Sequence, residues 1–278
     1  MSDAPREFPF TQYPARQGFA WLAMAYRMFK VHRLAWVVLL LAYYVSLLLF
    51  LVIPYIGPYV MVLLKPVLAV GFLAAAWVQE RGERPALIQL FQGFRANLWS
   101  LATIGLVFVT GITIAIIGSA VVDGGKLLEL LTNITRMSEA QIASARTDPQ
   151  LQLGMAFSAL LSLPVVFATW WAPGLVVFQD ARSGAALAAS FRAALANWKS
   201  LAIYGAGAFF YGAFVPELIR GIATVVFPLP VADLLIVALL LPYSLFFMAI
   251  WHISDYVSYR DVFHAGETLT PLTAAGQG

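Results

Sequence analysis

The chain has 278 residues, of which 61% are hydrophobic, 14% aromatic and only 11% charged, with a mean hydropathy of +0.81. That charged fraction is less than half of what ordinary soluble domains carry, which excludes a soluble globular fold. The lack of cysteine excludes disulfides, thiol catalysis and Cys-ligated metals. The net charge of +3 comes from basic residues flanking apolar runs, where they set orientation and meet anionic headgroups, so nucleic acid is not an expected partner.

After an N-terminal tail, residues 1–14, the first predicted element is a short amphipathic helix with Trp21, Met24, Met28 and Val31 on one face and Arg27 and Lys30 off it. Leu34–Ile53 is long enough to span, Pro54-Tyr55-Ile56-Gly57-Pro58 cannot continue a straight helix, and Tyr59–Gln79 spans back. A second unit opens at Pro85 with Leu87, Leu90, Phe91, Phe94 and Leu98 on one helix face. Leu98–Val122 then spans, Asp123–Asp148 forms a polar outer segment with a capping box at Ser138, and Leu151–Val177 returns. In a third unit the stripe is Leu187, Phe191, Leu195 and Trp198, followed by Leu201–Pro216, an irregular stretch through Pro228 and Pro230, and Val231–Ile253.

The expected fold is therefore all-α: an integral membrane bundle of six transmembrane helices built from repeated units of interfacial amphipathic helix plus transmembrane hairpin. The units are 15–80, 85–181 and 185–262, in one membrane domain over 15–264, with a second tail at 265–278. An offset of 100 residues supports repetition, since positions 86–105 and 186–205 share nine identities, among them Phe91 with Phe191 and Asn97 with Asn197. Twelve Lys and Arg flank the spans on one side and four on the other. By the positive-inside rule both termini are expected in the cytoplasm.

A group of motifs carries a resemblance. Ile53-Pro54-Tyr55-Ile56-Gly57, Arg81-Gly82-Glu83, Leu90-Phe91-Gln92-Gly93-Phe94-Arg95, Trp170-Trp171-Ala172-Pro173-Gly174-Leu175 and Ser258-Tyr259-Arg260-Asp261-Val262-Phe263 together resemble an uncharacterised family of proteobacterial six-span inner-membrane proteins. More distantly, the layout is similar to the membrane domain attached to some glycerophosphodiester phosphodiesterases, although no such catalytic domain follows here. The resemblance implies a multi-pass location in the bacterial inner membrane, and it implies no activity.

No zincin, nucleophile-elbow or phosphate-loop motif is present. The three scattered histidines, His32, His252 and His264, suggest no metal site, no cofactor is expected, and the chain reads as a non-enzyme. What remain are ionisable residues at membrane depth. Lys65, beside Pro66, either binds an anionic lipid head or substrate in a kink-opened cleft or snorkels to the outer interface. His252 and Asp255 share a helix face, a spacing that suits proton exchange as well as a plain polar helix end. Trp170, Trp171 and Pro173 follow Pro164 in the fourth span, where freed carbonyls need partners, so this stretch forms either a pocket wall or packing. Glu80 with Arg81, Asp180 with Arg182, and Arg260 with Asp261 place an acid and a base at the exit of each return span, as locks between units. Two functions fit: a non-enzymatic scaffold or lipid-binding envelope component, with membrane lipids and other membrane proteins as partners, or a carrier or channel for a small solute, anions included.

Overall fold

In a computed structural model of the chain, residues 8–51, 53 and 57–265 are described, and the regular elements among them are all helical. Helix α1 (Gln17–Val31) turns by 100° into α2 (Arg33–Leu51), and α3 (Gly57–Glu80) follows. The Pro54–Ile56 part of the expected turn lies outside the described residues. A 3₁₀ segment over Leu87–Arg95 leads into α4 (Leu98–Gly118), whose first turn is capped by the Asn97 side chain accepting from Ser100 N–H. Short helices α5 (Ala120–Asp123), α6 (Lys126–Asn133) and α7 (Glu139–Arg146) form the segment before α8 (Pro149–Thr169) and α9 (Ala172–Gln179). The chain then runs through α10 (Ser183–Ala196), α11 (Trp198–Phe209), α12 (Val215–Val226) and α13 (Leu229–Phe263).

Four stretches among the described residues are long and apolar enough to cross a membrane: Leu98–Asp123, Pro149–Gln179, Trp198–Val226 and Leu229–Phe263. The bent α1–α2 pair makes a fifth. This is a multi-pass architecture, assembled from helices because hydrocarbon offers exposed backbone no partners.

The short elements ahead of the spans face their neighbours with small residues and a few buried large ones. α1 packs on α11 and α13 through Gly18, Trp21, Ala25 and Phe29. α10 packs on α8 and α9 through Ala186, Ala189, Ser190 and Ala193. The Leu87–Arg95 segment packs on α3 through Leu90 and Gly93, and its three-residue period leaves Ile88, Phe91 and Phe94 exposed on another side. The predicted apolar stripes thus point largely outward: Phe91, Phe94, Leu195 and Trp198 are all exposed. These exposed bulky groups lie away from the helix contacts, where small residues permit close approach.

Two segments differ from the sequence-based expectation. The span that starts at α11 does not end at Pro216; helix continues to Val226 because a π-helical turn, Phe210–Phe214, precedes the proline. Val215 N–H there bonds to Phe210 C=O, five residues back. By that register Pro216 would serve Tyr211 C=O; it has no N–H, and the hydroxyl of Tyr243 on α13 donates instead. Residues 8–14, expected to be tail, are also docked. Phe8 is buried, Thr11 N–H donates to Val262 C=O at 2.7 Å, and Asn197 both accepts from Tyr13 N–H and donates to Thr11 C=O.

The segment between α4 and α8 is tied down by two carboxylates. Asp123, buried, accepts from Gly125 and Leu127 N–H and from Ser119. Asp148 caps α8 through Gln150 N–H and meets Lys126 Nζ at 2.6 Å.

Gly93→Val sets a side chain against the Val67 carbonyl on α3, and overpacking of this kind costs about 1–3 kcal/mol. A lowered melting temperature of the purified protein in detergent is the expected outcome, with Gly184→Ala, where a methyl meets open space, as the neutral control. A second expectation concerns pH. The Lys126 ammonium, together with the α8 amides, holds the Asp148 carboxyl below its usual value of 3.8. The folded state therefore favours the charged form: the contribution is complete above that value and is lost as pH falls through the lowered one. Hydrogen exchange over Lys126–Leu151 should stay slow at pH 5 and rise only below 3.8, whereas Asp148→Ala should exchange fast at neutral pH.

Candidate functional site

The break between α8 and α9 organises the site. In an unbroken helix Trp171 N–H would bond to Phe167 C=O. Here the Ser190 hydroxyl of α10 stands between them, accepting from Trp171 N–H at 3.0 Å and donating to Phe167 C=O at 2.8 Å. A side chain inserted into the ladder is one of the physical causes of a sharp kink. Pro173, without an N–H, cannot restore the next turns. Trp171 is buried, its indole N–H donating to Ser258 at 3.0 Å, and Trp170 is turned to the other side, edge-on to Tyr204 and Trp251.

Beside this break lies a cavity of about 560 Å³, within the usual range for small-molecule sites. Its walls come from α2 (Tyr43), α3 (Ala69, Val70, Leu73), α4 (Ile104, Gly105, Phe108, Val109), the end of α8 (Val166, Thr169), the break and α9 (Trp170, Trp171, Pro173, Gly174) and α13 (Trp251, His252, Asp255, Tyr259). Phe108 and Val109 are the lining residues that are also exposed on the outer surface, which places the mouth on α4.

The polar end of the cavity belongs to α13. The His252 ring stacks on Phe72 with centroids 4.1 Å apart and planes 8° from parallel, and stands edge-on to Tyr43. His252 Nδ1 lies 3.9 Å from Asp255 Oδ2, and its Nε2 is buried without a hydrogen-bond partner among the described residues. Asp255 Oδ1 accepts from the Tyr204 hydroxyl, which also meets Ser254 at 2.7 Å. No three His, Asp or Glu side chains converge as a metal site would need, among the described residues.

Of the residues singled out by sequence, the fold brings Trp170, Trp171, Pro173, His252 and Asp255 to this one cavity. Lys65 lies on α3, but its side chain is outside the described residues. The acid–base clusters are distributed unequally. Arg260 pairs with both Glu80 and Asp261, Tyr256 donates to Glu80, and Asp261 accepts from Gln17 and from the indole N–H of Trp21. This cluster joins the ends of α3 and α13 to the start of α1. Arg81 instead lies over the Trp77 ring, and Asp180 closes α9 in the left-handed region with φ 49°. No salt bridge involves Arg81, Asp180 or Arg182 among the described residues. Ser190, Tyr204 and Phe72 were not singled out by sequence. Ser190 alone carried a signal, as the polar member of an alanine-rich helix face.

The chain is 27% identical over 261 residues to a probable inner membrane protein of Burkholderia thailandensis, covering 92% of this chain and 94% of that one. This likeness supports a multi-pass inner-membrane protein of unknown function. No protein-family model matches the chain, and no solved structure matches it.

Ser190→Ala leaves Trp171 N–H and Phe167 C=O without their shared partner. The expected cost is about 1–3 kcal/mol, that of unsatisfied buried polar groups. It should be read as a lower detergent melting temperature together with faster hydrogen exchange at Trp171, while Ser190→Thr, which keeps the hydroxyl, should exchange as slowly as wild type.

Proposed function

We propose that the protein is a non-enzymatic, lipid-binding component of the bacterial inner membrane, with six spans in three related units and both termini in the cytoplasm. The observation that carries the lipid reading is the cavity: its walls are mostly apolar and aromatic, and its exposed edge, Phe108 and Val109, belongs to a helix suited to cross the membrane.

Support for the three units comes from contacts that repeat at the same offset. Gly93 abuts the carbonyl of Val67, and Gly71 the backbone of Leu90. One hundred residues on, Ser190 bonds to Trp171, so the Gly71–Leu90 meeting of α3 with the 3₁₀ segment recurs between the α8–α9 break and α10. Each short helix also packs on the return span of the unit before it, with α1 closing the ring on α13. Support for the orientation comes from the twelve-to-four distribution of basic residues.

A carrier reading is favoured by one feature, the interrupted α8–α9 helix beside the cavity, since transporters place binding sites at broken helices. Ala69→Phe fills the cavity from α3. If the lipid reading holds, lipid copurifying with wild type and identified by mass spectrometry falls on the order of tenfold in this variant, equivalent to ~1.4 kcal/mol. Unchanged copurified lipid, together with solute flux in vesicles that the variant blocks, would favour the carrier. Reporter fusions at Gly278 and Ser138 should give opposite sides of the membrane.

A further inference from the structure

We propose that the cavity selects an uncharged lipid with a free hydroxyl head, whose oxygen bridges His252 Nδ1 and Asp255 Oδ2. This rests on the lipid-binding reading above and names the class of head it takes.

The two atoms are 3.9 Å apart, too far to hydrogen-bond to each other but close enough for one oxygen to bond to both. Neither side chain is free to close the gap. The His252 ring is held against Phe72 and Tyr43, and Asp255 is held by Tyr204 at its other oxygen. Asp255 nevertheless keeps 31% of its side chain accessible and His252 13%, and both line the cavity.

The chemistry of the pair selects the head. His252 Nε2 is buried with no partner among the described residues, and a bare lone pair there costs less than a stranded N–H, which places the proton on Nδ1. The cavity thus offers one N–H donor and one carboxylate acceptor to a single point. A hydroxyl donates and accepts at one atom and satisfies both. An ester or ketone oxygen only accepts and leaves Asp255 unmatched, while an ammonium only donates and opposes the imidazole N–H. A phosphate would meet the Asp255 carboxylate with no lysine or arginine among the described lining residues. The Thr169 hydroxyl does not compete, since it is turned back to the Val165 carbonyl at 2.8 Å. The remaining walls suit hydrocarbon, and the mouth at Phe108 and Val109 lets a chain leave toward the bilayer.

The test uses the full chain in nanodiscs and four photoreactive probes carrying diazirine tails: a diacylglycerol, a long-chain isoprenoid alcohol, the acetylated diacylglycerol and a phosphatidylglycerol. Crosslinked peptides are mapped by mass spectrometry. At least one of the two alcohols should label the cavity-lining peptides of α4, α9 and α13, with the stronger of them identifying the source of the hydroxyl. Acetylation should reduce that labelling on the order of tenfold, the loss of one charge-assisted hydrogen bond. His252→Phe, which keeps the stack on Phe72, should bring the free alcohol down to the level of its acetylated form. Equal labelling by free and acetylated heads, or by phosphatidylglycerol, would overturn the hydroxyl selectivity and leave lipid binding standing. Labelling of cavity peptides by none of the four would overturn both. The comparison of free with acetylated heads is made on wild type, so it holds even where the variant fails to fold.

Discussion

A backbone carbonyl released from its helix inside hydrocarbon has no water to turn to, and much of this structure follows from how two such carbonyls are satisfied. At the α8–α9 break the Ser190 hydroxyl takes both ends of the opened ladder. At Pro216 a π turn shifts the register by one residue and the Tyr243 hydroxyl takes the carbonyl left over. Each repair comes from a different helix, so each interruption also fastens two elements together: α10 to α8, and α13 to the helix that runs from α11 to α12. Helix irregularity and tertiary packing are here the same interaction, as expected where unpaired polar groups cost several kcal/mol.

This explains which parts of the fold were legible in the sequence. Charge-free runs report apolar length directly, so Leu98–Asp123 and Pro149–Gln179 could be read with small errors at their ends. Pro216 was misleading because a proline ends a helix only when nothing absorbs its missing donor, and Tyr243, 27 residues further on in the sequence, is invisible to a local reading. The apolar stripes of the short elements were legible, but not that the packing falls largely on other residues. In water the bulky apolar face turns inward, but in a bilayer Phe91, Leu195 and Trp198 are content in lipid, and the face that packs is the one that allows backbones to approach. A pattern of Gly, Ala and Ser was present at those positions and carried the information.

The cavity was partly legible. Trp170, Trp171 and Pro173 stood out as a disturbed helix and His252 with Asp255 as an intramembrane pair, but nothing in one dimension links residue 170 to residue 252. Tyr204 provides that link, touching Trp170 and Trp251 with its ring and Asp255 with its hydroxyl. Its placement on α11 fixes how α9 and α13 stand to one another, and with them the width of the space between. The same residue that orients the carboxylate also sets the wall, so substitutions there would disturb shape and polarity together.

The docking of residues 8–14 and of α1 has a consequence for biogenesis. Thr11 bonds to Val262, Tyr13 to Asn197, and Trp21 and Gln17 to Asp261, so this segment finds its partners 184 residues or more further along the chain. Contacts across such separations are the slow ones in folding. Until α11 and α13 have both been inserted, the faces of α1 that pack on them stay partly uncovered, and they must be sheltered by lipid or by the insertion machinery. Completion of the ring is thereby coupled to insertion of the end of α13: a chain stopped before Asp261 would keep the bond of Tyr13 to Asn197 but lose those of Thr11, Gln17 and Trp21, a half-docked state by which quality control could tell a truncated product from a finished one.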